Sequence, residues 1–250
     1  MSRWRGNILS YDNVKTTKGE KHGWASFIFM GAPHEESGYN ACAGSSTGCR
    51  ATCLYYAGRG AFPQVKSARI RKTKLYFEDF TAFKSSMEKD IKSALNWADR
   101  NNLKPCFRLD GTTDLGVAQH FVSNNKTKQF YDYTKCPSRI RMAEKHDNWH
   151  ITYSLSENTT TKRMRILLAS NSNIAIPFHN VPEIGTRLLG REIVSGDETD
   201  LRFLDGMKKI VTLKVKGGKG KKTLNEDKKS TNGFILTDGA ALEKRFAALA

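Results

Sequence analysis

Short apolar runs alternate with stretches of helical pattern along most of this chain, and that alternation constrains the fold more than any other feature. The first run, residues 24–30 (WASFIFM), is followed by Gly31 and predicts a β-strand. Further strands are predicted at residues 106–111, 129–135, 149–157, 173–179, 191–196 and 209–217. Each run is short and bounded by polar or turn-forming residues, as the strands of a sheet usually are.

The clearest helix is predicted at residues 77–102. Its apolar stripe, at spacings of three and four, comprises Phe80, Phe83, Met87, Ile91, Ala94, Leu95 and Ala98. Shorter helices are predicted at residues 47–57, 114–125, 137–146 and 161–170. Repeated strand–helix–strand order favours right-handed βαβ units, so we predict an α/β fold with a parallel sheet or a partial (β/α) barrel. In such folds the working residues lie at the carboxyl ends of the strands.

Length and composition suggest the domain organisation. Since 38% of the 250 residues are hydrophobic, the chain can bury one sizeable core, and residues 1–250 are predicted to form a single domain. Its barrel core is expected at residues 24–213. A lysine- and glycine-rich loop follows at residues 214–230, and a small strand–helix element at residues 231–250.

No membrane segment is expected in this sequence. No apolar run approaches the about 18 to 20 residues that a membrane-spanning helix requires. The first thirty residues also lack the basic, apolar and small-residue succession of a signal peptide. We therefore expect the protein to lie in the cytoplasm.

The chain is strongly basic. Its 41 Lys and Arg residues against 25 Asp and Glu residues leave a formal net charge of +16. Such a charge creates a positive field that attracts polyanions, so nucleic acid is the expected partner class. The alternative is that much of this charge serves only to keep the protein soluble.

Three cysteines are concentrated in one glycine-rich segment. Cys42, Cys49 and Cys53 have the spacing C-x6-C-x3-C, within a chain that contains five cysteines in all. An odd number at low density is atypical of a disulfide scaffold and favours free thiols. If residues 47–57 form a helix, Cys49 and Cys53 project from one face, and Cys42 reaches the same point from the preceding loop. The sequence therefore predicts a cup of three thiolates that binds one metal centre.

An iron–sulfur cluster is the favoured occupant of this cup, because the glycines allow a tight turn around it and loop amides can donate hydrogen bonds to its sulfides. Zinc is the main alternative, with a fourth ligand from Cys106, Cys136 or His34. Of these, Cys136 follows a predicted strand and is our candidate additional ligand, whereas Cys106 is expected in the core. The simplest alternative is that all three cysteines are small buried apolar residues.

A basic segment follows the cysteines directly. Residues 66–74 (KSARIRKTK) carry the cations Lys66, Arg69, Arg71, Lys72 and Lys74. Cations interleaved with nearby aromatic residues suit phosphate contacts and base stacking, so we expect nucleic acid to bind here. The alternative is a solvated helix face.

Polar residues close several of the predicted strands. The candidate catalytic residues at these positions are Arg108, Asp110, Asp132, Lys135 and Glu157. Asp110, Asp114 and Asp132 could also bind divalent metals for phosphodiester cleavage, since two-metal nucleases require converging carboxylates. Structural hydrogen bonding at the strand ends is the alternative role.

The arrangement resembles the radical S-adenosylmethionine superfamily, in which a three-cysteine loop follows the first strand of a parallel βα barrel and leaves the fourth iron open. The resemblance implies a 4Fe–4S cluster, with S-adenosylmethionine as a further cofactor. The superfamily's usual motif is C-x3-C-x2-C, whereas the spacings here are six and three, and a GGEP-like segment for the methionine amino group is absent. The cysteine spacing therefore does not itself specify S-adenosylmethionine.

A second resemblance covers most of the chain, from about residue 20 to 235. The blocks that carry it are SGYNACAGSSTGCRATCLYYAGRG, SARIRKT, RLDGTTD, YDYTK and SGDETDLRFLD, in this order. Together they resemble the bacteriophage gene product 88 family, which implies a phage origin and the three-cysteine block but no particular activity.

The leading hypothesis is a phage-encoded, cytoplasmic protein that binds a 4Fe–4S cluster and has a nucleic-acid-binding surface. Whether it also acts as a radical-SAM-like enzyme is left open by the sequence. The alternatives are a zinc- or cluster-stabilised nucleic-acid-binding module without catalysis, or a metal-dependent nuclease.

Overall fold

The computed structural model describes residues 4–11, 17–215 and 233–249. Within these ranges the chain forms a nine-stranded sheet with helices packed against it. The strands are β1 (Leu9–Ser10), β2 (Trp24–Phe29), β3 (Lys104–Arg108), β4 (Gln129–Thr134), β5 (Trp149–Ser154), β6 (Asn173–Phe178), β7 (Arg187–Leu188), β8 (Arg191–Ser195) and β9 (Ile210–Lys214). The helices are α1 (Thr47–Ala51), α2 (Pro63–Glu78), α3 (Phe80–Arg100), α4 (Pro137–Ala143), α5 (Thr161–Ala169) and α6 (Gly239–Arg245).

The sheet is mostly parallel, which confirms the predicted α/β class. The strand order is β1-β2-β3-β4-β5-β6-β9-β8-β7. Strands β2 to β6 are neighbours in sequence order and parallel, and β9 lies between β6 and β8. The two edge strands, β1 and β7, pair antiparallel with β2 and β8.

The predicted partial barrel is not confirmed, because the sheet is open. Strands β1 and β7 are its two edges and do not pair with each other. Each of them has only two residues, so each offers little backbone for closing a barrel. The predicted likeness to a radical-SAM barrel is therefore not confirmed, although the cysteine loop does follow strand β2 of a parallel sheet.

The two faces of the sheet differ in chemistry. On one face, Phe27, Phe107 and Phe130 belong to the main hydrophobic core, which α3 completes with Phe83 and Met87. The opposite face, called here the polar face, carries Ser26, Cys106, Arg108, Tyr131, Tyr133, His150, Thr152 and Ser154. This division follows from the alternation of side chains along each strand.

A short segment covers the middle of the polar face. The 3-10 turn Arg202–Asp205 places the fully buried Arg202 beside Asp205, at 3.1 Å. The Phe203 ring packs on Tyr131 with 5.5 Å between ring centroids. The candidate site lies beyond this segment, where the strands reach their carboxyl ends.

Several predicted elements are shorter in the structure. The predicted helix at residues 47–57 ends at Ala51, since Cys53 is extended (φ −59°, ψ 130°) and the following 3-10 turn buries Tyr55 completely. The predicted helix at residues 114–125 is only the 3-10 turn Val117–His120. Helix α3 begins at Phe80 because the Asp79 side chain accepts a hydrogen bond from the Ala82 amide at 2.9 Å and caps it.

The carboxyl-terminal element is present in part. Leu236 forms an isolated parallel bridge with Phe178 of β6, and α6 follows. Of the predicted loop at residues 214–230, residues 216–230 lie outside the described residues. Within the described ranges, no helix combines the length and the apolar character needed to cross a membrane.

Candidate functional site

The three predicted cysteine ligands line one cavity at the carboxyl ends of β2, β3 and β4. Its volume is about 180 Å³, and Cys42, Cys49 and Cys53 are each partly accessible. Arg108 and Lys135 line the same cavity from the strand ends. The chain therefore brings together three thiols that are up to eleven residues apart in sequence.

Cys49 is held in place by the start of α1. The hydroxyl of Ser46 accepts a hydrogen bond from the Cys49 amide at 3.2 Å. The same hydroxyl donates to Glu157 Oε2 at 2.6 Å, and the Gly48 amide donates to Glu157 Oε1 at 2.6 Å. Glu157 therefore ties the cysteine loop to the segment that follows β5, so its carboxylate is engaged by the loop.

Close packing explains two of the glycines in this loop. A Cβ at Gly48 would lie 2.3 Å from the Cβ of Phe234, and a Cβ at Gly44 would lie 2.9 Å from the Cβ of Lys135. Both distances are too short for any residue other than glycine without a shift of the backbone. The loop is thus seated directly on the strand end that carries Lys135 and on the C-terminal segment.

The cysteine thiols are shielded from water. Burial, with smaller contributions from Asp114, Cys49 and Cys53, raises the pKa of Cys42 to about 12. Burial is also the main cause of the raised pKa of Cys53, which the Arg69 guanidinium partly offsets. Without a bound cation, the Cys42 and Cys53 thiols are therefore neutral at physiological pH.

Cys42 and His34 line the cavity together. The Cys42 thiol approaches the carbonyl oxygen of Thr112 at 4.0 Å. His34, a predicted alternative zinc ligand, also lines the cavity and has a left-handed φ of 49°. This conformation is uncommon for a residue other than glycine and is often found at functional sites.

The other two cysteines lie outside the cavity. Cys106 is fully buried on the polar face, where its thiol points to the carbonyl of Ala25 at 3.6 Å. Cys136, the predicted additional ligand, lies 3.7 Å from Asp114 Oδ2 on the other side of the loop and does not line the cavity. In the part of the chain that the structure describes, no group of three or more His, Cys, Asp or Glu side chains has the proximity that a single metal ion requires.

The predicted catalytic carboxylate Asp110 is engaged by its own loop. Its two oxygens accept hydrogen bonds from the Thr113 hydroxyl and from the amides of Leu115, Gly116 and Val117, at 2.7 to 3.0 Å. Burial raises its pKa, with a further contribution from Asp114. These contacts give Asp110 a structural role in shaping the cavity wall.

Asp132 lies beneath the cavity and does not line it. It is 2% exposed and accepts hydrogen bonds from the Asp110 amide at 2.7 Å and from the Trp149 indole at 3.4 Å. Burial, followed by the effect of Asp110, raises its pKa well above the usual range. Asp114 binds the Thr134 hydroxyl, the Lys135 amide and Arg139. All three carboxylates proposed for a nuclease site thus bind protein donors.

A larger cavity of about 320 Å³ adjoins the first one and shares Cys49, Cys53, Arg108 and Lys135 with it. Tyr133 and Ser154 line both cavities. Tyr133 is absent from the sequence-based predictions, although the period-two pattern in QFYDYTK places it on the same face as Lys135. Because Tyr133 and Ser154 lie at the ends of adjacent strands, their sequence positions could have identified both as residues that line the site.

The five cations predicted to bind nucleic acid lie on α2, but they do not share one face. Arg71 and Lys74 are exposed, whereas Lys66, Arg69 and Lys72 are partly buried. Arg69 turns towards the site, with its guanidinium 5.7 Å from the Tyr55 ring centroid and 3.5 Å from the Met30 sulfur. Burial lowers the pKa of both Arg69 and Lys72.

Comparisons with known proteins identify the family. A search of curated proteins and a search of solved structures gave no match. A family profile described as gene product 88 matches residues 7–236. This range contains the three cysteines and every residue that lines the two cavities. Because the match spans most of the chain, the protein belongs to the bacteriophage gene product 88 family.

Proposed function

We propose that this phage protein binds an iron–sulfur cluster through Cys42, Cys49 and Cys53. The observation that carries this proposal is the convergence of the three thiols on one cavity at the carboxyl ends of parallel strands. Thiolates are the usual ligands of such clusters. Three ligands leave one iron of a 4Fe–4S cluster without a protein ligand, and that iron supplies Lewis-acid or redox chemistry when the cluster is bound.

The surroundings of the cysteines fit a cluster better than a single zinc ion. Four sulfurs around zinc lie about 3.8 Å apart, given Zn–S bonds of about 2.3 Å. Structural zinc sites usually have two close pairs of ligands, and the cysteines of the sequence offer only Cys49 and Cys53 as such a pair. Cluster ligands bind different irons and are therefore farther apart. Arg50, Arg108 and Lys135 also line the cavity and would stabilise a thiolate-bound, negatively charged centre.

The larger cavity supports an enzymatic role. It opens beside Cys49 and Cys53, so a molecule bound there would face the cluster. Arg108 is paired with Asp200 at 2.7 Å and stacks over Tyr133 at 4.7 Å, which fixes its orientation at the cavity wall. We therefore propose that the protein acts as a radical-SAM-like enzyme on a small molecule that binds in this cavity. We propose the cytoplasm as the place where it acts.

Nucleic acid remains the proposed macromolecular partner. The net charge of +16 and the exposed cations Arg71 and Lys74 support this part of the proposal. Since Lys66, Arg69 and Lys72 are partly buried, the contact surface on α2 is narrower than the five-cation segment suggested.

The test of cluster binding is anaerobic purification and reconstitution, followed by iron and sulfide analysis and absorbance spectroscopy. We expect broad thiolate-to-iron absorbance and matched iron and sulfide contents. Replacing Cys42, Cys49 or Cys53 with Ser should abolish both. Cys106→Ser is the matched control, because Cys106 is buried outside the cavity, and it should retain the cluster.

Two outcomes would contradict the proposal. A colourless protein with stoichiometric zinc would favour the zinc-stabilised module. Full iron retention in any one of the three cavity variants would show that the replaced cysteine is not a ligand. Equal loss in Cys106→Ser would indicate a general folding defect instead of a specific cluster site.

A further inference from the structure

Lys135 is a buried cation with no counter-ion among the described residues. Its side chain is 9% exposed, and its ammonium donates to Ser154 Oγ at 2.5 Å and to the Ser154 carbonyl at 3.3 Å. It forms no ion pair with any described carboxylate. Since an ammonium has three donors and a buried unpaired charge is costly, an external acceptor is expected at this position.

The chemistry of the larger cavity indicates what kind of molecule supplies that acceptor. Its charged lining residues are the cations Lys18, Arg108, Lys135 and Lys214 and the carboxylates Asp197 and Asp200. This set has an excess of two positive charges. Arg108 lines the same cavity, and its Nε is buried without a hydrogen-bond partner among the described residues. The cavity is therefore suited to an anionic group.

Apolar side chains form another part of the cavity lining. Pro177, Leu213 and Phe234 line the cavity, and the Lys135 ammonium lies 5.2 Å from the Phe234 ring centroid. A volume of about 320 Å³ lies at the lower end of the range typical of small-molecule sites, which is about 300 to 1,000 Å³. A ligand of this size would place an anionic group at Lys135 and a compact apolar body against these walls.

We infer that the larger cavity binds a small organic anion, carrying a carboxylate or a phosphate group, through Lys135. This inference deepens the proposed function, because it names the substrate class for the cavity that faces the cysteines. Anion binding depends on Lys135, whereas cluster binding depends on the cysteines. The two can therefore fail separately.

The test is calorimetry on the reconstituted protein with phenyl phosphate, benzoate and benzylamine. The first two probes differ in their anionic group, and benzylamine presents a similar ring with a positive charge. We expect saturable binding of at least one anion and no binding of benzylamine. The tighter anion distinguishes a phosphate ligand from a carboxylate ligand.

The variant Lys135→Met removes the charge and should weaken binding of the preferred anion about tenfold or more, as expected for the loss of a charge-assisted hydrogen bond. The control Lys126→Met alters an exposed lysine and should bind like the wild type. Ser154→Ala should weaken binding several-fold, because Ser154 Oγ orients the ammonium.

Three results would overturn the inference. These are equal binding of benzylamine and the anions, unchanged affinity in Lys135→Met, and loss of iron in Lys135→Met without loss of anion affinity. The last would mean that the lysine serves the metal centre. If Lys135→Met does not fold, the inference is tested by the wild-type protein alone. It then stands if phenyl phosphate or benzoate binds and benzylamine does not, and it fails otherwise. Anion binding by a protein that contains no iron would refute only the cluster proposal.

Discussion

The role of Glu157 as the anchor of the cysteine loop leads to a quantitative prediction. Its two carboxylate oxygens accept hydrogen bonds from the Gly48 amide and the Ser46 hydroxyl, both at 2.6 Å. Glu157→Ala removes both acceptors and leaves the start of α1 without its connection to the segment after β5. We expect the cysteine loop to become less ordered and to bind its metal centre less tightly.

The size of this effect can be worked out from these two contacts. A hydrogen bond to a charged group contributes about 1.5 to 3 kcal/mol when buried. Because Glu157 is partly exposed, we take the lower end for each bond, which gives about 3 kcal/mol in total. Each 1.4 kcal/mol corresponds to a factor of ten, so metal affinity should fall roughly 100-fold. Glu157→Gln retains one acceptor oxygen and should lose about half of this free energy, or roughly tenfold.

The assay is retention of iron by the reconstituted protein during competition with a chelator, measured as the chelator concentration that removes half of the iron. The matched control is Glu183→Ala, which alters an exposed glutamate and should behave like the wild type. Circular dichroism on each variant verifies that the sheet remains folded.

The catalytic role that the sequence predicts for Glu157 leads to a different expected result. If the Glu157 carboxylate acts on a substrate, Glu157→Gln should keep its metal and lose only activity. Wild-type iron retention in Glu157→Ala would therefore refute the anchoring argument. Equal loss of iron in Glu183→Ala would refute it as well, because the effect would then not depend on contacts with the loop.

Three further predictions concern pH and charge. Because burial raises the pKa of Cys42 to about 12 and ligation requires the thiolate, iron uptake at fixed iron concentration should increase between about pH 6.5 and about pH 8.5. Burial, and to a smaller extent the positive charge of Arg202, lowers the pKa of His150 to about 4. As the pH falls from about 6.5 to about 4, the unfolded chain therefore binds a proton at His150 before the folded protein does, and the free energy of unfolding decreases. His150→Gln should abolish up to about 3 kcal/mol of this loss, measured by urea unfolding at both pH values. Neutralising Arg71 and Lys74 should reduce the slope of log affinity against log salt for duplex DNA by about 2, and an unchanged slope would exclude them as phosphate contacts.

The fold was predictable where hydrophobic periodicity was strong. Strands β2 to β6 and helix α3 lie close to their predicted positions, because long apolar stripes and short buried runs have distinct periods. The edge strands β1 and β7 were missed, since two residues are too few to show any period. The position of β9 between β6 and β8 depends on pairing between distant segments, and local sequence does not encode it.

The convergence of the three cysteines could be predicted from the sequence, whereas the contacts of the residues around them could not. Spacing alone indicated that Cys42, Cys49 and Cys53 share a centre, and the structure places them around one cavity. The same reasoning assigned chemistry to Asp110 and Glu157 because they follow strands. In the structure both carboxylates accept hydrogen bonds from backbone amides of loops, and their catalytic roles stay predictions. A side chain's hydrogen-bond partners cannot be deduced from its position after a strand.

The polar face explains why the candidate chemistry is confined to one end of the sheet. A fully buried Arg202 and its turn occupy the middle of this face, and Arg108 pairs there with Asp200. Opening a path through these groups would expose buried charges without partners, which costs several kcal/mol. At the carboxyl ends of the strands, Lys135 and the cysteine loop line the same cavities. A molecule bound in the larger cavity would therefore meet the Lys135 ammonium together with Cys49 and Cys53, which is why the proposed anion site and the proposed cluster site both lie at this end of the sheet.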